Sequence, residues 1–289
     1  MVAQSDYGSL LDALRGVTWP ARRPPRAAVH GTHHSRLLGT SPEFSEYRPY
    51  RQGEDPRRLD WKLLARTDRA YLRLTTDRAL LSTMVVLDAS ASMAFPAPAL
   101  DKWAHACRIA IGLMSIAHAS GDPVGLVVPT TNGPRAMAAR TRRGVVGEAV
   151  RLIDGIEPSG SPRLDGAVAA LPAGSRVVIV SDFLGDDTAL FGAARQRLSA
   201  GGEVYALHVL ARDELDPSRG TRLVADPEHP DDRRTLDDAG RSAYRDAFDG
   251  WRAELAHLWR AAGATYIEMP DDEPADRAVR RVAHQGTGR

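Results

Sequence analysis

From Ser82 onward, short apolar runs of strand length alternate with segments of helical periodicity, and this alternation constrains the fold more than any single residue does. Thr83 to Leu87, Val124 to Val128, Arg176 to Val180, Val204 to Leu210 and Thr265 to Met269 are runs with little polar interruption. Such runs suit strands covered on both faces, as in a parallel sheet between helices. The intervening spacing predicts helices near 102–120, 146–153, 164–171, 188–200, 239–262 and 275–284. Asn132-Gly133 is a hairpin signal leading into a short edge strand near Arg135 to Ala139. A second hairpin is expected between Leu223 and Leu236. The expected class is therefore α/β, with a doubly wound, mostly parallel sheet over residues 81–289.

Residues 1–80 differ in character and read as a basic N-terminal extension. Formal charge is +5 up to Arg78 and −4 over the remainder. A short helix near Leu10 to Leu14 gives way to an Arg/Pro-rich link from Pro20 to Arg26, then to segments at Glu43–Tyr50, Asp55–Arg66 and Tyr71–Leu74. Asp55-Pro56 suits an N-cap followed by proline at the first helical position, opening a helix through Trp61 and Leu64. The extension is too short to bury much by itself, so it is expected to pack on the α/β domain as an appendage.

Hydrophobic residues make up 43% and charged residues 26%, close to globular averages, which argues against wholesale disorder. No run approaches the roughly 20 apolar residues of a membrane span, and the first residues lack a signal-peptide pattern. A cytoplasmic location is expected. Cys107 is the single cysteine and sits in a helical stripe, where a buried thiol is expected. Only Lys62 and Lys102 are lysines, so the arginine excess reads as compositional bias. A nucleic-acid interface would call for a more basic domain with aromatic or motif support.

Against this frame stands Asp88-Ala89-Ser90-Ala91-Ser92, directly after the first strand run. Loops leaving the carboxyl ends of parallel strands are where open α/β sheets bind ligands. One carboxylate and two hydroxyls provide only oxygen donors, which favour Mg²⁺, Mn²⁺ or Ca²⁺ over zinc. Aspartate and serine are also common turn formers, so the string alone is weak. A second run ends at Ser181-Asp182, and Gly160-Ser161 precedes a helix between the two. Asp88, Ser90, Ser92, Ser161 and Asp182 thereby become one candidate metal site.

These five residues resemble the metal-ion-dependent adhesion site of von Willebrand factor A type domains. In that family the two serines and a middle-loop threonine ligate the cation, and the aspartates act directly or through water. Ser161 stands at the threonine position, with Ser159 its nearest rival. The string from Gly39 to Lys62 (GTSPEFSEYRPYRQGEDPRRLDWK), then Ala65-Arg66, is similar to the signature of the domain of unknown function 58 family, and Val224-Ala225-Asp226-Pro227-Glu228 fits it too. The similarity spans about Gly31 to Met269. Many members carry N-terminal membrane helices, and this chain resembles a short form without them. The resemblance implies a module that uses a Mg²⁺, Mn²⁺ or Ca²⁺ ion to capture an Asp or Glu of a protein partner, and it implies a MoxR-type AAA+ ATPase, or its client, as that partner.

Within the signature, Trp61 is expected as a core anchor, and Arg48, Arg57 and Arg66 as partners of nearby acids. His30, His33 and His34 do not form a convincing metal set, because adjacent histidines seldom converge on one ion. Asp186-Asp187 suit the cap of the following helix. A phosphotransferase using Asp88 as nucleophile would want a second acid/base carboxylate nearby, and two residues on stands Ser90. No G-x-S-x-G, H-E-x-x-H or Walker loop occurs. The residues thus favour a non-enzymatic binding module. A metal-dependent hydrolase or phosphotransferase, and metal-independent binding through the basic arm, are the alternatives.

Overall fold

The computed structural model describes residues 5–22, 30–38, 44–52, 54, 56–96, 99, 101–185, 188–217, 222–225 and 233–285. Helix α1 (Ser5–Ala13) is followed by strands β1 (His30–Leu38) and β2 (Phe44–Pro49), helix α2 (Trp61–Thr67) and strand β3 (Tyr71–Ala79). The three strands form an antiparallel sheet in the order β1-β3-β2. The main domain then runs β4 (Thr83–Leu87), α3 (Asp101–Ala119), β5 (Val124–Val128), β6 (Arg135–Arg140), α4 (Val145–Asp154), α5 (Leu164–Ala169), β7 (Arg176–Ser181) and α6 (Thr188–Ser199). It closes with β8 (Glu203–Leu210), α7 (Arg212–Leu215), the hairpin β9 (Arg222–Ala225) and β10 (Arg233–Leu236), α8 (Asp238–Ala261), β11 (Thr265–Pro270) and α9 (Ala275–Gln285).

The main sheet has the order β11-β8-β7-β4-β5-β6, with every pair parallel except β5–β6. Strand order reverses between β4 and β7, which is the topological switch point of a doubly wound sheet. Side chains alternate between two cores. Val85, Leu87, Val178, Val180, Tyr205 and Leu207 face the layer built on α1, α3, α4 and α9. Met84, Val86, Val177, Ile179, Val204 and Ala206 face the layer of α5, α6 and α8. Burial on both faces explains why these strands read as continuous apolar runs.

The edge strand needs one glycine. A Cβ on Gly125 would lie 2.6 Å from Met84 Sδ and 2.8 Å from both Ala139 N and Met137 O. The β5–β6 register shifts at this point, so the two backbones close over a position without a side chain.

The expected extension divides into two parts. Tyr7, Leu10, Leu14 and Trp19 are buried in the α3 side of the main core. Arg176, wholly buried, bonds Glu203 Oε2 at 3.1 Å, Trp19 O at 3.2 Å and Pro20 O at 2.9 Å, with its guanidinium 4.1 Å from the Trp19 ring centre. The chain at Trp19–Arg22 therefore crosses the amino ends of β7 and β8.

The signature segment makes its own scaffold around β2 and α2. Arg48 pairs with Glu54, and Arg51 N donates to Glu54 Oε2 at 2.8 Å, so the Glu54 carboxyl lies below its ordinary pKa, with the Arg48 hydrogen bond as the main cause. Asp60 caps α2 by accepting from Lys62 N and Leu63 N at 3.0 Å each, and it also accepts from Tyr47 Oη at 2.9 Å. The cap of the helix is thus Asp60, whereas Asp55 lies outside the described residues. Trp61 does not anchor a core: it is the first residue of α2, a helix with no buried residue, and is 61% exposed. Asp186, Asp187 and Asp226 to Glu228 fall outside the described residues, as do the side chains of His30, His33 and His34. Cys107 is buried as expected.

Candidate functional site

Neighbouring strand ends create the site. The β4–β7 ladder pairs Leu87 with Val180 and continues one step further, with Asp88 N donating to Val180 O at 2.9 Å. Asp88 and Asp182 therefore emerge side by side at the carboxyl ends of β4 and β7, at the switch point. A 3-10 turn, Ala91–Ala94, then folds the serines back toward Asp88. The middle loop is stitched to this turn by two backbone bonds, Ala91 N to Gly160 O at 2.8 Å and Ser159 N to Ala89 O at 2.9 Å.

Between these loops lies a cavity of about 290 Å³ whose lining includes Asp88, Ser90, Ser161, Ser181, Asp182 and Arg163. Ser161 thus faces the same space as the strand-end acids. Ser159 is turned elsewhere, its hydroxyl donating to Glu157 O at 3.4 Å. Ser92 is buried behind Ser90, with the two hydroxyl oxygens 3.0 Å apart. Arg163 stands exposed at the rim in a two-pronged pair with Asp165, both bonds 2.9 Å.

Each acid is held by donors that leave it facing the cavity. Asp88 Oδ1 accepts from Ser90 N at 2.9 Å, and Oδ2 accepts from Ser181 Oγ at 2.6 Å. Ser181 in turn accepts from Phe183 N at 2.9 Å. Asp182 Oδ1 accepts from Leu184 N at 3.2 Å, and Oδ2 accepts from Lys102 Nζ at 2.7 Å. The same ammonium donates to Glu214 Oε1 at 2.7 Å. Burial, then the neighbouring Asp182 charge, pushes the Asp88 carboxyl up to about 7. Burial opposes the charge on Lys102, but Asp182 and Glu214 outweigh it and keep its pKa above the ordinary lysine value.

The donor set fits a small divalent cation. Burial first, and the Asp182 charge second, disfavour the charged Asp88 carboxylate, and a cation beside it would relieve both. The Ser90 and Ser92 hydroxyls hydrogen-bond to each other at 3.0 Å, a spacing that adjacent ligands of an octahedral ion with bonds of 2.0–2.1 Å would also take. Among the described residues no group of three or more His, Cys, Asp or Glu gathers, so the candidate donors here are two carboxylates and the serine hydroxyls.

Sequence reasoning had placed Asp88, Ser90, Ser92, Ser161 and Asp182 together, and it missed three participants. Ser181 was adjacent to Asp182 but was read only as the end of a strand. Lys102 carried a signal: it is one of two lysines in the chain and occupies the buried stripe of an apolar helix. Glu214 had none, since α7 reaches the site only through the tertiary fold.

A doubly wound, mostly parallel sheet of this order with one antiparallel edge strand is a von Willebrand factor A-like α/β fold. Residues 46–255 match the family described as Protein of unknown function DUF58, and the chain belongs to that family. It is 30% identical to Uncharacterized protein Rv1480 of Mycobacterium tuberculosis (strain ATCC 25618 / H37Rv), with 98% of this chain and 92% of that protein covered. Uncharacterized protein Mb1516 of Mycobacterium bovis (strain ATCC BAA-935 / AF2122/97) matches with the same figures. Among solved structures, the conserved hypothetical protein BatB from Bacteroides thetaiotaomicron aligns with a TM-score of 0.45 at 15% identity, covering 72% of this chain and 98% of that one. The SpRpn10 VWA domain aligns with a TM-score of 0.41 at 11% identity, covering 70% and 94%. No helix among the described residues is long and apolar enough to cross a membrane.

Proposed function

We propose that this protein is a metal-dependent protein-interaction module, not an enzyme, and that it captures a carboxylate of a partner at the cavity between β4 and β7. The observation that carries the reading is the placement of Asp88 and Asp182 on adjacent strand ends around a cavity also lined by Ser90 and Ser161. Asp88, Ser90, Ser92, Ser161 and Asp182 would hold Mg²⁺ or Mn²⁺. The ion would supply Lewis-acid attraction for an incoming Asp or Glu. The chain's own contribution is orientation. Ser181 and the Ser90 amide fix Asp88, Lys102 and the Leu184 amide fix Asp182, and the buried turn presents the serine hydroxyls. Lys102 pairs with Asp182 and so offsets one of the two acid charges, which favours an anionic ligand from outside.

We carry over from the resemblance an adaptor role beside a MoxR-type AAA+ ATPase, with ATP bound by that partner. The test is capture of a purified MoxR-type AAA+ ATPase from the same organism by immobilised protein. Capture is expected in Mg²⁺, and it should vanish with EDTA and with Asp88→Ala while the circular dichroism spectrum stays unchanged. Undiminished capture in EDTA would overturn the metal dependence.

A further inference from the structure

Lys102 has no solvent-exposed surface, and all three of its ammonium protons face protein acceptors. They are Asp182 Oδ2 at 2.7 Å, Glu214 Oε1 at 2.7 Å and Ser92 O at 3.4 Å. No proton is left to offer a ligand, so Lys102 is not a contact residue for a partner. Two of its acceptors belong to residues of the cation site. The third comes from α7, outside it. The ammonium is thus the link between the strand-end acids and the four-residue helix that precedes the β9–β10 hairpin.

This arrangement has an electrostatic consequence. Lys102 occupies one oxygen of Asp182 and places a fixed positive charge one hydrogen bond from the donors of the site. Glu214 bonds the same ammonium without lining the cavity, and it offsets part of that charge. Because electrostatic energy falls with distance, the nearer lysine outweighs the farther glutamate at the cation position. We infer that Lys102 and Glu214 are a charge-setting pair for the cation site: Lys102 orients Asp182 and weakens the hold on a divalent ion, and Glu214 partly restores it. This rests on the cation reading proposed above. It explains how a site with two buried carboxylates would stay dependent on a partner's acid, since the lysine cancels one of the two charges.

The test is a Mn²⁺ titration of the full chain, with free Mn²⁺ read by electron paramagnetic resonance, on wild type, Asp88→Ala, Glu214→Gln and the double variant Lys102→Met/Glu214→Gln. Lys102→Met alone would leave two buried acids without their cation, so the double variant is the informative one. Glu214→Gln is the milder change, since the Glu214 side chain is 14% exposed. Glu214→Gln should weaken Mn²⁺ binding by about threefold or more, and the double variant should bind about tenfold tighter than wild type. Opposite signs are the signature, because damage to packing would weaken both. If Asp88→Ala loses Mn²⁺ binding relative to wild type while both variants weaken, or neither changes, the charge-setting role is overturned and the cation site stands. Tight binding by the double variant with little by wild type supports the role. If wild type and Asp88→Ala titrate alike and the double variant gains nothing, both the pair and the cation reading fall.

Discussion

The Ser181 hydroxyl donates to Asp88 Oδ2 at 2.6 Å and so ties the last residue of β7 to the first residue beyond β4. Ser181 Oγ also accepts from the Phe183 amide at 2.9 Å, which sets the turn that carries Asp182. One hydroxyl therefore positions both acids of the candidate site.

Replacing it tests that coupling. Ser181→Ala leaves Asp88 Oδ2 and the Phe183 amide without these partners in a buried setting. A loss of about 1–3 kcal/mol in urea unfolding is expected. Removal of the donor also moves the Asp88 carboxyl further upward, so Mn²⁺ binding should shift to higher pH. Unchanged stability with an unchanged pH profile would show that Ser181 is not the hinge of the site.

Acid stability should depend on His105. It is buried, its Nε2 has no partner among the described residues, and burial, reinforced by Arg108, lowers its pKa to about 4. Asp272 and Glu273 oppose that shift, whereas Arg281 adds to it. The native state takes up the His105 proton only near pH 4, whereas the unfolded chain takes it up near 6.5. The unfolded state therefore holds more protons in that window. His105 is fully tolerated above about pH 6.5 and costs stability as pH falls toward 4, by up to about 1.4 kcal/mol per unit. Asp88, raised to about 7, titrates with the opposite sign, so wild type alone masks part of the effect. Urea unfolding of wild type and His105→Leu at pH 7.5, 5.5 and 4.5 should show the variant gaining relative to wild type as pH falls. A constant difference would contradict the burial argument.

Two tryptophans should behave very differently. Trp61 is 61% exposed and Trp259 fully buried. Trp61→Ala should change stability by less than about 0.5 kcal/mol, and Trp259→Ala should cost about 3–5 kcal/mol. Chemical denaturation compares them directly.

Glu203→Gln should be costly at the opposite end of the sheet. It leaves the buried Arg176 guanidinium without its ion-pair partner, and breaking a buried pair costs about 3–5 kcal/mol. A loss below 1 kcal/mol would mean that the Trp19 and Pro20 carbonyls and the Trp19 ring satisfy Arg176 by themselves.

The main sheet was legible because its strands are covered on both faces, so Thr83–Leu87 and Arg176–Val180 stood out as apolar runs. Asp88 and Asp182 followed from strand ends, since the chain must turn there. The N-terminal region was less legible. Trp61 looked like a core residue because aromatic size suggests burial, yet its direction depends on which residue opens α2. Asp55-Pro56 carried the stronger cap signal, but the α-helix begins after Asp60, beyond a 3-10 turn at Pro56–Arg58. β1 lacks strong apolar alternation and is held through its pairing with β3, which spacing within one segment does not reveal. Glu214 was invisible for a related reason, as its meeting with Lys102 joins residues 112 positions apart.

The placement of Tyr7, Leu10, Leu14 and Trp19 in the main core alters what the small β1–β3 sheet is mechanically. Core segments stand on both sides of it in the chain, α1 with Trp19 before it and β4 after it. The sheet is an insertion with two fixed ends and not a tail. A force applied to it is shared by two anchors, one of them clamped by Arg176 at the pole of the sheet opposite the cavity, and truncation at residue 80 would strip four buried side chains from the domain it was meant to isolate.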